Sequence, residues 1–174
     1  GWTTHLPRCH RGAVPETRVR HAARVLLIDD RERVLLFRFG PDHRGHYFWI
    51  CPGGGLEEGE THEQAAHREL LEEVELAGVE LGPCRWAREY TFDWFDRRVC
   101  QRERWYLVRC PAREVDAAHL ARLLPEGIHD ARWWTLAELE ATGTGQYLIP
   151  RKLAQLVADV LAGRLPDEVT RLDP

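Results

Sequence analysis

Residues 53–76 read GGGLEEGETHEQAAHRELLEEVEL, and the reading of this stretch decides the reading of the chain. Its opening glycines let the backbone approach another group closely. Thr61 and Gln64 form a T-x-x-Q capping box, in which two orphan backbone donors are satisfied reciprocally, so a helix begins at Thr61. Inside that helix Glu69, Glu72 and Glu73 are spaced i, i+3, i+4 and share one face. Ala66, Leu70 and Val74 fall four apart on the other side and offer that side to a core.

Like charges placed this way repel by roughly 0.2–0.5 kcal/mol per pair on an exposed helix. Arg68 can soften the repulsion through its i,i+4 neighbour Glu72. Taken alone, E-x-x-E-E is a solvated acidic face. A glycine loop directly before it changes the reading, because clustered carboxylates suit hard cations such as Mg²⁺ that take oxygen ligands and bridge to phosphates. Loop and acidic face together describe a metal–diphosphate site.

The stretch resembles the signature box of the Nudix hydrolases, G-x5-E-x7-R-E-U-x-E-E-x-G-U with U aliphatic. Gly54, Glu60, Arg68, Glu69, Leu70, Glu72, Glu73 and Leu76 stand at the matching positions, eight matches over 23 residues. Glu75 stands where the family has its second glycine, a residue that normally ends the helix in a left-handed conformation. Gly78 is the expected substitute stop, a turn later. The resemblance implies divalent-metal-dependent hydrolysis of a phosphoanhydride, with Mg²⁺ or Mn²⁺ as the ion. It implies Glu72 and Glu73 as metal ligands, together with a backbone carbonyl from Gly53 or Gly54. Glu69 is either a further ligand or the base that takes a proton from the attacking water. Arg68 would orient the glutamates, and Glu60 would anchor the loop to the helix. An acid from outside the box is matched by Glu126 or by Glu103, on the warrant of the resemblance alone.

The chain has 174 residues, 44% hydrophobic and 30% charged, which fits one globular domain. A net charge of −4 gives no footprint for duplex nucleic acid or an anionic membrane, and leaves a small phosphorylated nucleotide as the expected partner. Of 24 basic residues only Lys152 is a lysine. The five cysteines are dispersed without a C-x-x-C, so reduced thiols and a cytoplasmic location are expected. His5, Cys9 and His10 lie in an irregular terminal segment and make a poor metal site. No apolar run approaches the roughly 18 residues of a membrane span. The first 20 residues lack a signal-peptide core, and a chain without Met that opens Gly1-Trp2 is expected to have a processed terminus. Association as monomer or homodimer is left open.

Residues 1–19 read as a lead-in, 20–165 as a single domain, and 166–174 as a tail. Strands are expected over 21–28, 34–39 and 47–51 before the box, then 85–94 and 99–109 joined as a hairpin, and 132–134. Asp116 caps a short helix stopping before Pro125, and Thr135 with Glu138 forms a second capping box. The final helix, about 150–162, carries Leu153, Leu156, Val157, Val160 and Leu161 at the helical period. This order fits an α/β (α+β) fold, a mixed sheet flanked by helices on both faces. The Nudix resemblance implies the same α/β/α sandwich.

Substrate selection is thinner in the sequence. Tyr90, Phe92, Trp94, Phe95, Trp105 and Tyr106 cluster around the hairpin, where a nucleobase can stack between two of them, Trp94 and Trp105 being the chosen candidates. Core and cross-strand pairing is the simpler use of such aromatics. The same holds for Trp133 and Trp134, of which only one is expected to face the core. Arg38, His43, Arg44 and His46 lie upstream of the box, Arg38 being the candidate phosphate contact. The favoured reading is hydrolysis of a nucleoside diphosphate linked to another moiety, such as ADP-ribose or a sugar nucleotide. The alternatives are a nucleoside di- or triphosphate pyrophosphatase and, from another class, a non-catalytic nucleotide-binding regulatory module. Intact Glu69, Glu72 and Glu73 argue against the last, and the closeness of the box to the hydrolase form argues against an isopentenyl diphosphate isomerase.

Overall fold

The computed structural model describes residues 16–174 except Phe95 and Thr144, and except the side chain of Trp94. The candidates His5, Cys9 and His10 lie outside the described residues. Two long strands carry the architecture: β1 (Thr17–Asp29) and β6 (Arg97–Cys110) pair in parallel over the whole of β1. Around them lie β2 (Val34–Phe39), β3 (Phe48–Ile50), β4 (Gly53–Gly55) and β5 (Trp86–Trp94). Further along the chain come β7 (Ile128–Trp134), β8 (Tyr147–Ile149) and β9 (Thr170–Leu172). The path of neighbours is β8-β3-β2-β1-β6-β5-β9, with β4 on β1 and β7 on β2. Parallel and antiparallel pairs are both present, so the sheet is mixed.

Helices α1 (His62–Val74) and α2 (Ala117–Leu123) belong to one face of this sheet, α3 (Leu136–Glu140) and α4 (Leu153–Leu161) to the other. The reason is strand alternation. Ala23, Val25 and Leu27 of β1 meet Ala65, Ala66, Leu70 and Val74 of α1, whereas Leu26 and Ile28 meet Leu153, Leu156, Val157 and Val160 of α4. The run Val25–Ile28 is apolar throughout because both of its faces are covered. This is the expected α/β/α sandwich. Covering both faces also corrects the expectation for Trp133 and Trp134: both are buried, one in each core.

The sheet runs past both expected boundaries. β1 begins at Thr17, inside the expected lead-in, and Thr170–Leu172 of the expected tail pairs in parallel with Trp86–Arg88. The hairpin closes between Trp94 and Arg97, tighter than the four-residue link expected. Thr61 caps α1 with the full capping box, whereas Thr135 accepts the Glu138 N–H without the reciprocal bond, the Glu138 carboxylate being engaged by Arg132 and the Thr135 hydroxyl. Glu75, not Gly78, ends α1: it takes the left-handed conformation itself, at φ 55°, and its N–H bonds the Leu71 carbonyl.

Candidate active site

Three consecutive glycines form β4 because their neighbours leave no room for side chains. Gly53 sits at φ +142°, and a Cβ there would strike the Ala23 carbonyl; one on Gly54 would strike the Glu69 carboxylate. Drawn this close, the Gly53 N–H donates to Glu73 Oε1 at 2.8 Å. The strand and the acidic helix face are thereby joined directly.

The three glutamates stand in different surroundings. Glu73 is 5% exposed, Glu69 is partly buried, and Glu72 reaches outward. Burial, reinforced by the neighbouring Glu69 carboxylate, pushes Glu73 up to about 8. Burial raises Glu69 as well. Arg68 holds the set together: Nε and Nη2 grip both oxygens of Glu60 at 2.8 and 2.9 Å, Nη1 reaches Glu69 at 3.0 Å and Glu72 at 3.4 Å, and Nη2 also donates to the Gly55 carbonyl at 3.0 Å. The bidentate grip holds Glu60 down at about 2.

Outside the box, the two carboxylate candidates separate. Glu126 is exposed at the end of a 3₁₀ turn (Leu124–Glu126), beside Glu72, Glu75 and His119, and its charge reaches Glu73. Glu103 is no surface carboxylate. It is 3% exposed and accepts from Gln101 at 2.8 Å, Trp105 at 2.9 Å, Arg24 at 3.4 Å and Arg88 at 3.5 Å. These donors hold its pKa low against the cost of burial.

Trp105 is corrected as a substrate contact: it is 1% exposed, buried among Leu26, Trp86 and Leu153 with its N–H on Glu103, and presents no free ring face. Tyr106 is equally buried, its hydroxyl on Glu63. Tyr90 and Phe92 remain partly exposed and stack at 5.6 Å between ring centroids. The Trp94 side chain lies outside the described residues. Arg38 is half-buried with its guanidinium over the Tyr47 ring at 4.1 Å, and among the described residues no hydrogen bond or ion pair joins it to the box. Arg24 was passed over in the sequence, although an arginine set between Ala22–Ala23 and the apolar run Val25–Ile28 is a signal. Its Nη1 donates to the carbonyls of Cys51 and Gly53 at 3.2 and 3.1 Å.

The donor set at the box consists of carboxylates and a carbonyl, hard oxygens of the kind Mg²⁺ takes. A divalent cation would also compensate the buried charge of Glu73. Among the described residues no three His, Cys, Asp or Glu side chains are already drawn together as a metal cage. Glu69 and Glu72 are instead turned onto Arg68.

The model of the NUDIX domain matches residues 18–153. The chain belongs to the Nudix family. It is 34% identical over 86 residues to an RNA pyrophosphohydrolase of Vibrio atlanticus and 35% over 82 residues to one of Yersinia enterocolitica, covering 44% and 41% of this chain. The chain spans about half the length of these curated relatives, 48% and 47%. Among solved structures, a MutT protein from Methanosarcina mazei superposes with a TM-score of 0.59 at 16% identity, over 86% of this chain and 98% of that one. The E. coli dihydroneopterin triphosphate pyrophosphohydrolase gives 0.58 at 22%, over 80% and 95%. These likenesses show the Nudix fold, and the box glutamates stand on its α1.

Proposed function

We propose that this Nudix chain hydrolyses a phosphoanhydride bond in a nucleoside diphosphate linked to another moiety, using Mg²⁺ or Mn²⁺. The observation that carries the reading is the buried Glu73, bonded to the Gly53 N–H, with Glu69 beside it on the same helix face against a strand of bare glycines. A buried carboxylate pair without a compensating cation is unfavourable, and the compensation fits a divalent ion better than any side chain nearby. Glu69, Glu72, Glu73 and the carbonyl of Gly53 or Gly54 would hold the metal. When bound, it polarises the phosphoryl oxygens and makes a water nucleophilic near neutral pH.

The chain's own residues supply the rest. Arg68 holds Glu69 and Glu72 until they turn to the ion, and its bonds to Glu60 and Gly55 keep loop and helix in register. Glu69, or Glu126 from the turn beyond, takes the proton of the attacking water. Phe92, stacked on a Tyr90 ring that also carries the Arg88 guanidinium at 3.9 Å, offers a ring for a base. The small-nucleotide reading takes support from the acidic net charge.

A second reading is favoured by what the relatives are called: an RNA pyrophosphohydrolase acts on RNA, so the substrate here would end in a 5′ di- or triphosphate. The test is a panel of ADP-ribose, sugar nucleotides, dinucleotides, nucleoside di- and triphosphates and a 5′-triphosphorylated RNA, with Mg²⁺ or Mn²⁺ and an EDTA control. Metal-dependent release of a nucleoside monophosphate from the first three supports the first reading, and cleavage confined to terminal phosphates moves the assignment to the second. No turnover with any member removes both in favour of a binding module.

A further inference from the structure

Along β1, paired with β6 throughout, alternation turns Arg20 and Arg24 to the face of the sheet that also carries Leu26 and Ile28. Three arginines gather there. Arg24 and Arg88 share the single carboxylate of Glu103, and Arg20 stands beside Arg24. Positive charge exceeds negative at this spot.

What fixes Arg20 is an amide. Glu103 can only accept hydrogen bonds, so Gln101, which lies against it at 2.8 Å, must present its NH₂ group there. The Gln101 carbonyl oxygen therefore points the other way, and it accepts from Arg20 Nη1. This lays the guanidinium across Gly55, where a Cβ would meet Arg20 Nη2 at 2.7 Å. Arg20 is exposed, and among the described residues it makes no ion pair and donates no other side-chain hydrogen bond. A pinned guanidinium with open donors thus lies on the glycine strand, near enough to Glu69 for the two charges to act on each other.

We infer that Arg20 binds a phosphate of the substrate, through non-bridging oxygens of the phosphate adjoining the phosphoryl group under attack, with Gln101 and Glu103 as its positioning residues. The planar fork of an arginine matches two phosphate oxygens at once. The ligand then lies along the sheet face, its diphosphate over Gly53–Gly55 and its base towards Tyr90 and Phe92. This inference rests on the hydrolase reading for the place of the attacked phosphate, and its binding test does not need turnover.

The experiment uses the full chain and ADP as the probe, titrated by calorimetry in EDTA. Arg20→Gln is expected to weaken ADP binding about tenfold or more, and Arg20→Lys to recover part of the loss, with unchanged melting temperatures for both exposed-site variants. Gln101→Met, which releases the guanidinium while leaving its charge, is expected to weaken binding less than Arg20→Gln. On a substrate from the panel, Arg20→Gln should raise KM far more than it lowers kcat. Equal ADP affinity in wild type and Arg20→Gln overturns the inference, as does a wild type that binds no ADP. Arg20-dependent binding in a chain without turnover supports the phosphate site and removes only the hydrolase reading.

Discussion

Glu73 is the residue whose state depends most on what binds. Without a cation it holds a proton up to about pH 8, because burial and Glu69 oppose its charge. Its folded pKa exceeds the unfolded one, so its stabilising contribution is full below the unfolded value and is lost as pH rises through about 8. In EDTA the melting temperature is therefore expected to fall between pH 5 and pH 8.5, and the rise produced by Mg²⁺ to grow over the same range, since metal and proton compete for one carboxylate. A Mg²⁺ shift independent of pH would remove Glu73 from the ligand set. Glu73→Gln keeps the shape and an acceptor for the Gly53 N–H while removing the charge. We expect turnover to drop by orders of magnitude with the metal-free melting temperature kept or raised, and near-wild-type turnover would sink the assignment. At this scale the sequence was informative where spacing carries chemistry, at Arg68, Glu69, Glu72 and Glu73. It was silent on burial: nothing local separates Trp105 or Glu103, closed inside the sheet, from Tyr90, half in solvent.

At the scale of elements, α1 ends on a residue that is poorly suited to the job. Glu75 takes a left-handed conformation at a cost of roughly 1–2 kcal/mol for a side chain with a Cβ. Against that, its half-exposed carboxylate lies 3.6 Å from Nδ1 of the buried His119 and 3.7 Å from the exposed Arg122 on α2, contacts of about 0–1 kcal/mol. The conformational term wins. Glu75→Gly should stabilise the protein by about 1 kcal/mol, a rise of roughly 2–4 °C by scanning calorimetry for a chain of this size. A fall would mean that the tie to α2 is worth more than exposed ion pairs usually are. Elements with a local signal were legible before the structure: the capping box of α1, the Asp116 cap, the continuous apolar run of β2 and the alternating residues of β5. β4, β8 and β9 were not. Three glycines have no strand propensity, and strands of three residues exist through partners far along the chain rather than through their own sequence.

The whole molecule is held by two apolar layers and, on the face of the sheet that carries Leu26 and Ile28, by a buried ionic group. Glu103, with Arg24, Arg88, Gln101 and Trp105 on it, joins β1, β5 and β6 in the interior of the sheet. Removing a buried carboxylate leaves the arginines uncompensated, so Glu103→Ala is expected to cost about 3–5 kcal/mol in urea unfolding. A loss below 1 kcal/mol would show that water reaches the group. Its folded pKa is depressed, so the stability it contributes is present above the unfolded value and is lost as pH falls through the folded one. The interior sandwich was foreseeable from the apolar runs. The ionic group was not, because its members come from three separated segments that only the sheet brings together.

The last strand has a bearing on association. β9 occupies the outer rim of β5 at Trp86–Arg88, and Asp173 behind it accepts from Arg88 and pairs with Lys152. Deleting residues 170–174 would uncover a row of unsatisfied amides and carbonyls at the sheet margin. A margin of that kind recruits strands from other molecules. The shortened chain should therefore elute in size-exclusion chromatography as dimers and larger species, with residues 170–174 acting as the guard that keeps one copy from extending the sheet of the next.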